Sequence, residues 1–208
     1  MSIYFWDEYL KDVPICKHLV QYTEDIKVEV SHFLEEPEAL HDYPTYMVED
    51  DNKNPIPLYE HSWKVIPFSK FDGEYVSNPN SEEYHIVLSM AQHSKWKCPT
   101  ISTLISGLES QGDLANCFLS KLVPGSIINP HRGWTQDFMR IHLGLICDPE
   151  CKITVGEETR TWEEGKLLAF KDGGEFPHSV KHQGSSERII LSLDLRISYL
   201  QKFVPELV

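Results

Sequence analysis

Two histidines, His131 and His178, each directly follow a proline, Pro130 and Pro177, at the edge of a short apolar run. Each imidazole is therefore expected at a strand end, where the mouth of a β-barrel opens. Two imidazoles with open coordination positions suit Fe(II) or another divalent metal. The usual non-haem iron site adds one carboxylate, often placed two residues after the first histidine. Here that position is Gly133, which has no ligating side chain. Either water fills the place or the carboxylate comes from elsewhere in the chain.

A second group of polar residues lies in the run Phe138–Ile146. Arg140, His142 and Gly144 share one parity; Met139, Ile141, Leu143 and Leu145 share the other. Alternate side chains of a pleated strand share a face. A guanidinium and an imidazole then point the same way, with an apolar row behind them, as a site that holds a carboxylate near a metal or a proton requires. Arg188 opens a later run with Ile190, Ser192 and Asp194 on its parity. An arginine aimed into a barrel grips a carboxylate with two parallel hydrogen bonds, and Ser120 offers a hydroxyl donor. Taken singly, Arg140 with His142 also fits a solvated strand face, and Arg188 fits an edge charge facing water. His18, His32, His41, His61, His85, His93 and His182 read as surface or core.

The elements that must position these residues follow from the texture of the chain. After Gly112, short apolar-rich runs recur between turn signals: Cys117–Val123, Ser126–His131, Phe138–Ile146, Lys152–Val155, Lys166–Phe170, Pro177–His182 and Arg188–Leu195. Short strands at this spacing, joined by Gly-containing turns, predict antiparallel sheets rather than a parallel α/β sheet. Before Gly112, a near-3.6-residue period predicts a helix over Cys16–Glu36, ended by Pro37. An irregular stretch follows, with one strand-like piece at Trp63–Phe68. Two short helices are expected over Glu83–Ser94 and Thr100–Leu108. The fold class is mainly β: a double-sheet jelly roll with N-terminal helices packed on it. The expected organisation is one domain over 1–208, with a helical and irregular part at 1–112 and a β-barrel core at 113–200.

The 208 residues carry a formal net charge of −13, which repels a phosphate backbone and argues against nucleic acid. No apolar run approaches the ~20 residues that span a bilayer. The segment Met1–Glu8 lacks the basic-then-apolar order of a signal peptide. Cys16, Cys98, Cys117, Cys147 and Cys151 are an odd number without a CxxC pair. Free thiols and a cytoplasmic location are expected, although Cys147 and Cys151 flank a turn across which they could meet.

Several stretches, in order, carry a resemblance to a known family. They are Pro130-His131-x-Gly133, Arg140-Ile141-His142-Leu143-Gly144-Leu145, Thr161-Trp162-Glu163-Glu164-Gly165-Lys166, Phe170 with Asp172, His178-Ser179-Val180, and Arg188 with Asp194. From Leu119 to Leu195 the chain resembles the aspartyl/asparaginyl β-hydroxylases, Fe(II)- and 2-oxoglutarate-dependent oxygenases on a double-stranded β-helix (cupin-like). The resemblance implies a dioxygenase that hydroxylates an unactivated C–H of an amino-acid residue or amino-acid-like small molecule, converting 2-oxoglutarate to succinate with O2. It implies His131 and His178 as iron ligands, and Gly133 matches because the aspartyl hydroxylases lack a carboxylate there. It implies Ser120 and Arg188 as the grip on the distal carboxylate of 2-oxoglutarate. Arg140 and His142 fall near the iron-bound end of the cosubstrate and the substrate carboxylate. Phe138 stands where animal aspartyl hydroxylases have a further arginine for the substrate aspartate. The loop from Phe170 to His178 is about two residues longer. The aromatic that flanks 2-oxoglutarate has Phe68 as its candidate. Two other readings remain: a 2-oxoglutarate-dependent halogenase with halide at the Gly133 vacancy, and a non-catalytic barrel serving as a binding module.

Overall fold

The computed structural model describes residues 3–36, 39–44, 46–50, 52–69, 80–133 and 135–207. Pro37, expected to end the first helix, lies outside them. The chain opens with α1 (Asp7–Leu10), α2 (Pro14–Gln21) and α3 (Thr23–Phe33). The single helix expected over Cys16–Glu36 is thus two. The Thr23 hydroxyl donates to the carbonyls of Leu19 (3.1 Å) and Val20 (2.9 Å), closing α2 at Tyr22. Such side-chain capture of a carbonyl competes with helix continuation.

Short strands follow: β1 (His41–Asp42), β2 (Met47–Glu49), β3 (Pro55–Pro57), β4 (Tyr59–Glu60) and β5 (Trp63–Pro67). Next come α4 (Glu82–Lys97) and α5 (Pro99–Gln111). Ser81 caps α4 by accepting from Tyr84 N at 3.2 Å. Gly112, at φ 72°, ends α5 in the left-handed conformation that glycine adopts without Cβ strain. The eight remaining strands are β6 (Leu114–Leu122), β7 (Ile127–His131), β8 (Phe138–Ile146), β9 (Cys151–Val155), β10 (Glu158–Thr161), β11 (Leu167–Lys171), β12 (His178–His182) and β13 (Arg188–Arg196), before α6 (Ile197–Leu200).

Six strands form one antiparallel sheet in the order β1-β5-β6-β13-β8-β11; five form a second in the order β10-β9-β12-β7-β4. Strand β10 escapes the sequence pattern because Glu-Thr-Arg-Thr is polar at every position, as an edge strand permits.

The larger sheet is buried on both faces, which is why β6, β8 and β13 read as almost unbroken apolar runs. One face packs under the helices: Met139, Ile141, Leu143, Leu145, Leu191 and Leu193 join Leu19, Ile26, Ile101 and Ile105 in one core. Each fully buried Leu or Ile there contributes about 1.5–3 kcal/mol of transfer free energy. The other face meets the smaller sheet through Trp63, Phe118, Ile128, Ile153, Phe170, Val180 and Ile190. Two facing antiparallel sheets, with helices on the back of one, make a jelly roll of the double-stranded β-helix, cupin-like kind. The parity of β8 therefore decides chemistry. Its odd-numbered residues enter the helix-side core, and Arg140 and His142 enter the space between the sheets.

Candidate active site

The space between the sheets narrows to a cavity lined by His131, Arg140, His142, Trp162, His178 and Arg188, with Ser120 and Trp63 on its floor. Strands β7 and β12 pair antiparallel with His131 opposite His178, so the register itself brings the two histidines together. Their ring centroids lie 4.1 Å apart. His131 Nδ1 is 2.8 Å from the Asn129 carbonyl, which can only accept. The proton therefore sits on Nδ1, and the Nε2 lone pair is free. His178 is buried, and its Nδ1 has no partner among the described residues. Burial holds both rings in the neutral form that metals bind, lowering the pKa of His131 to about 4 and that of His178 well below the usual range. The neighbouring Arg140 cation acts in the same direction on both.

Gly133 has a specific neighbour. A Cβ there would lie 1.9 Å from Asp172 Oδ2, so the Asp172 carboxyl occupies the place where a side chain at 133 would begin. The Gly133 N–H donates to the Asp172 carbonyl at 2.9 Å. Asp172 Oδ1 is 3.3 Å from His178 Nε2 and 2.6 Å from an Arg140 terminal nitrogen. A carboxyl thus reaches the histidine pair from the segment after β11. Burial raises its pKa to about 6, against the opposing pull of Arg140.

Arg140 is committed on two sides. Its Nε and Nη2 each donate to Asp194 at 2.8 Å, and Asn116 Nδ2 donates to the same carboxylate at 2.8 Å. With Asp172 on its remaining terminal nitrogen, the guanidinium is shared between two carboxyl groups. Phe138 is buried, with the Arg196 guanidinium 5.0 Å from its ring centroid.

His142 is held by Trp162, whose Nε1 donates to His142 Nδ1 at 3.1 Å. An indole nitrogen only donates, so His142 carries its proton on Nε2. Burial, with Arg140 and Arg188 nearby, keeps the ring neutral. Arg188, 2% exposed, has no carboxylate partner among the described residues. Its Nη2 donates to Ser120 Oγ at 3.1 Å, its Nε is unpartnered, and its guanidinium lies 4.8 Å from the Trp162 ring centroid. Burial lowers its pKa to about 10. Ser120 Oγ also accepts from Trp63 Nε1 at 2.9 Å. Both its lone pairs are used, so its O–H is left to donate.

All six residues singled out in the sequence, Ser120, His131, Arg140, His142, His178 and Arg188, line this one cavity. Three participants had no role assigned from the sequence: Asp172 and Trp162, which carry part of the resemblance, and Trp63. Asp172 carried a usable signal, an acidic residue directly after an apolar strand and before Gly173-Gly174. Phe68, the sequence candidate for the cosubstrate-flanking aromatic, packs instead in the helix-side core; Trp63 occupies the cavity. All five cysteines are free, Cys147 and Cys151 included.

The donor set fits a divalent cation such as Fe(II). Two neutral imidazoles, each with a nitrogen to offer, stand beside one carboxyl group. Among the described residues no three ligating side chains close into a full cage, and Asp172 is drawn toward Arg140.

The aspartyl/asparaginyl β-hydroxylase family model matches residues 21–197. Aspartate β-hydroxylase domain-containing protein 2 of Xenopus tropicalis is 31% identical over 191 residues, covering 78% of this chain and 50% of that protein. The rat protein of the same name is 30% identical over 190 residues, covering 78% and 54%. Mouse aspartyl/asparaginyl β-hydroxylase is 48% identical over 73 residues, 35% of this chain and 10% of that one. Among solved structures, a Pseudomonas putida prolyl-4-hydroxylase aligns over 84% of this chain and 86% of its own at a TM-score of 0.42 and 14% identity. The chain spans about half the length of the first two relatives. It belongs to the aspartyl/asparaginyl β-hydroxylase family.

Proposed function

We propose that this chain is an Fe(II)- and 2-oxoglutarate-dependent hydroxylase acting on an amino-acid residue or an amino-acid-like small molecule. The observation that carries this reading is Arg188. A buried guanidinium without a carboxylate partner is costly, and it is kept here in a cavity that also holds a histidine pair. Its hydrogen-bond donors, with the Ser120 O–H, suit the carboxylate of a small dicarboxylic acid. His142, with its proton on Nε2, faces the same space and suits the opposite end.

In this reading His131 and His178 would hold the metal, with Asp172 beside them. When bound, the metal would supply activation of O2 coupled to oxidative decarboxylation of the cosubstrate. Arg188 and Ser120 fix the distal carboxylate, which sets the length of acid that fits. His142 donates from Nε2 to an oxygen at the metal-facing end. Phe170, 4.9 Å from the His178 ring and 5.4 Å from the His142 ring between centroids, walls the site and excludes water. Arg140 keeps Asp172 in place. With Phe138 tucked beneath Arg196, neither position 138 nor 140 offers an uncommitted cation to a substrate aspartate.

A carboxyl group beside the Gly133 vacancy disfavours halide there, which sets the halogenase reading behind the hydroxylase one. Succinate formation from 2-oxoglutarate with Fe(II), alongside a mass-spectrometric search for one added oxygen on free amino acids and short peptides, tests the proposal. His131→Ala and His178→Ala are expected to abolish turnover while keeping the fold. Absence of Fe(II)-dependent 2-oxoglutarate binding in the parent protein would favour the non-catalytic binding module.

A further inference from the structure

One residue touches both anion-holding groups of the cavity. Trp162 follows β10, outside the strands of either sheet, yet it is 3% exposed and packs in the core between them. Its N–H bonds His142 and its ring face lies against Arg188. The loop carrying it is clamped to β8: Gly144 N donates to Lys166 O at 3.1 Å, and Gly165 N donates to Gly144 O at 2.9 Å. The clamp needs glycine, because a Cβ on residue 144 would stand 2.2 Å from the Glu163 carbonyl oxygen.

We propose that Trp162 is the positioning residue of this site: its indole N–H holds the His142 proton on Nε2, and its ring face steadies the Arg188 guanidinium. This inference rests on the 2-oxoglutarate reading for what the two groups hold. The tautomer argument is independent of it. A neutral imidazole protonates whichever nitrogen its partner leaves free, so a donor fixed on Nδ1 dictates a donor at Nε2. Without it, the ring can carry its proton on Nδ1 and present a lone pair to an anion, turning attraction into repulsion. Replacing Trp162 by Phe also removes the best π-face for the guanidinium, since indole outranks phenyl in cation–π attraction. One side chain therefore sets the chemistry at both ends of an extended dianion.

The test uses metal-free protein labelled with 15N in histidine and tryptophan at neutral pH. The His142 signals are assigned by their loss in His142→Gln. In the parent, the ring nitrogens should report the Nε2–H tautomer, with a nitrogen–nitrogen coupling across the hydrogen bond to the Trp162 indole. In Trp162→Phe the coupling disappears and the tautomer shifts toward Nδ1–H. Anaerobic Fe(II) titrations should show 2-oxoglutarate binding weakened by about 10- to 100-fold, the usual scale for losing an orienting partner. An Nδ1–H tautomer in the parent would overturn the proposal, and this measurement does not need Trp162→Phe to fold. Weakened binding with an unchanged tautomer would mark Trp162 as packing alone and overturn it too, as would a shifted tautomer with unchanged binding. If the parent binds no 2-oxoglutarate at all, the cosubstrate is wrong, and the tautomer result still decides the role of Trp162.

Discussion

Arg188→Met should make the ligand-free protein more stable while removing the grip on 2-oxoglutarate proposed for Arg188. Arg188 is 2% exposed, and burial lowers its pKa from 12.5 to about 10. At neutral pH the group is charged both folded and unfolded, because both values lie above that pH. The penalty on the folded state is therefore fully present there and is relieved only as pH rises through about 10. At about 1.4 kcal/mol per pKa unit, it is roughly 3 kcal/mol. Methionine keeps an unbranched stem without the charged guanidinium. It forfeits the Ser120 hydrogen bond and the cation–π contact with Trp162, about 1 kcal/mol each. The net gain of about 1 kcal/mol raises Tm by about 2–4 °C for a domain of this size. Losing a charge-assisted pair with a carboxylate in a buried site costs about 2–5 kcal/mol, so 2-oxoglutarate binding should weaken by at least about tenfold. Thermal denaturation with and without 2-oxoglutarate reads both effects. The parent should be stabilised by 2-oxoglutarate and Fe(II), and the variant should melt higher alone and gain nothing from the acid. A variant that melts lower alone and still binds 2-oxoglutarate normally would show that Arg188 is a structural charge.

Three further outcomes are expected. Gly133→Asp sets a new Cβ 1.9 Å from Asp172 Oδ2 and crowds two carboxylates into one place, so turnover should fall about tenfold or more; tighter Fe(II) with faster succinate formation would contradict this. Gly144→Ala meets backbone rather than a mobile side chain at Glu163, and overpacking should destabilise the fold by about 1–3 kcal/mol in urea titrations; an unchanged midpoint would mean the loop yields freely. Asp148 accepts from the N–H groups of Glu150, Ser185 and Ser186 and from the Ser186 hydroxyl, bonds that lower its pKa. Its folded pKa lies below its unfolded one, so its contribution is present above the ordinary carboxylate range and is lost as pH falls through and below it. Asp148→Asn should flatten that acid limb of the stability profile, and a limb of the same slope would remove Asp148 from the account.

Much of the site was legible in the chain because strand parity is local. The alternation of Phe138–Ile146 placed Arg140 and His142 on one face and four apolar residues on the other, and a period of two allows no other arrangement. Prolines before His131 and His178 marked strand ends, and the seven strands expected after Gly112 stand near their bounds because turns, most of them Gly-containing, separate them. The helix break at Tyr22 was hidden, since the apolar period continues across it and only the Thr23 hydroxyl interrupts the ladder. Strand β10 was hidden because its polar residues carry no alternation to read.

Tertiary structure decided what each charged group faces. Sequence left the place of Gly133 to water or to a carboxyl from elsewhere. The return of the chain after β11 brings the Asp172 carboxyl to that spot, from 39 positions further along the chain. It also separated two arginines that look alike in the sequence: Arg140 is shared between Asp194 and Asp172, and Arg188 is left with Ser120 and the face of Trp162. Parity says which face of a strand a side chain takes. What stands opposite depends on how far apart the two sheets lie and on which loops close over their ends, and those are set by packing across the whole chain.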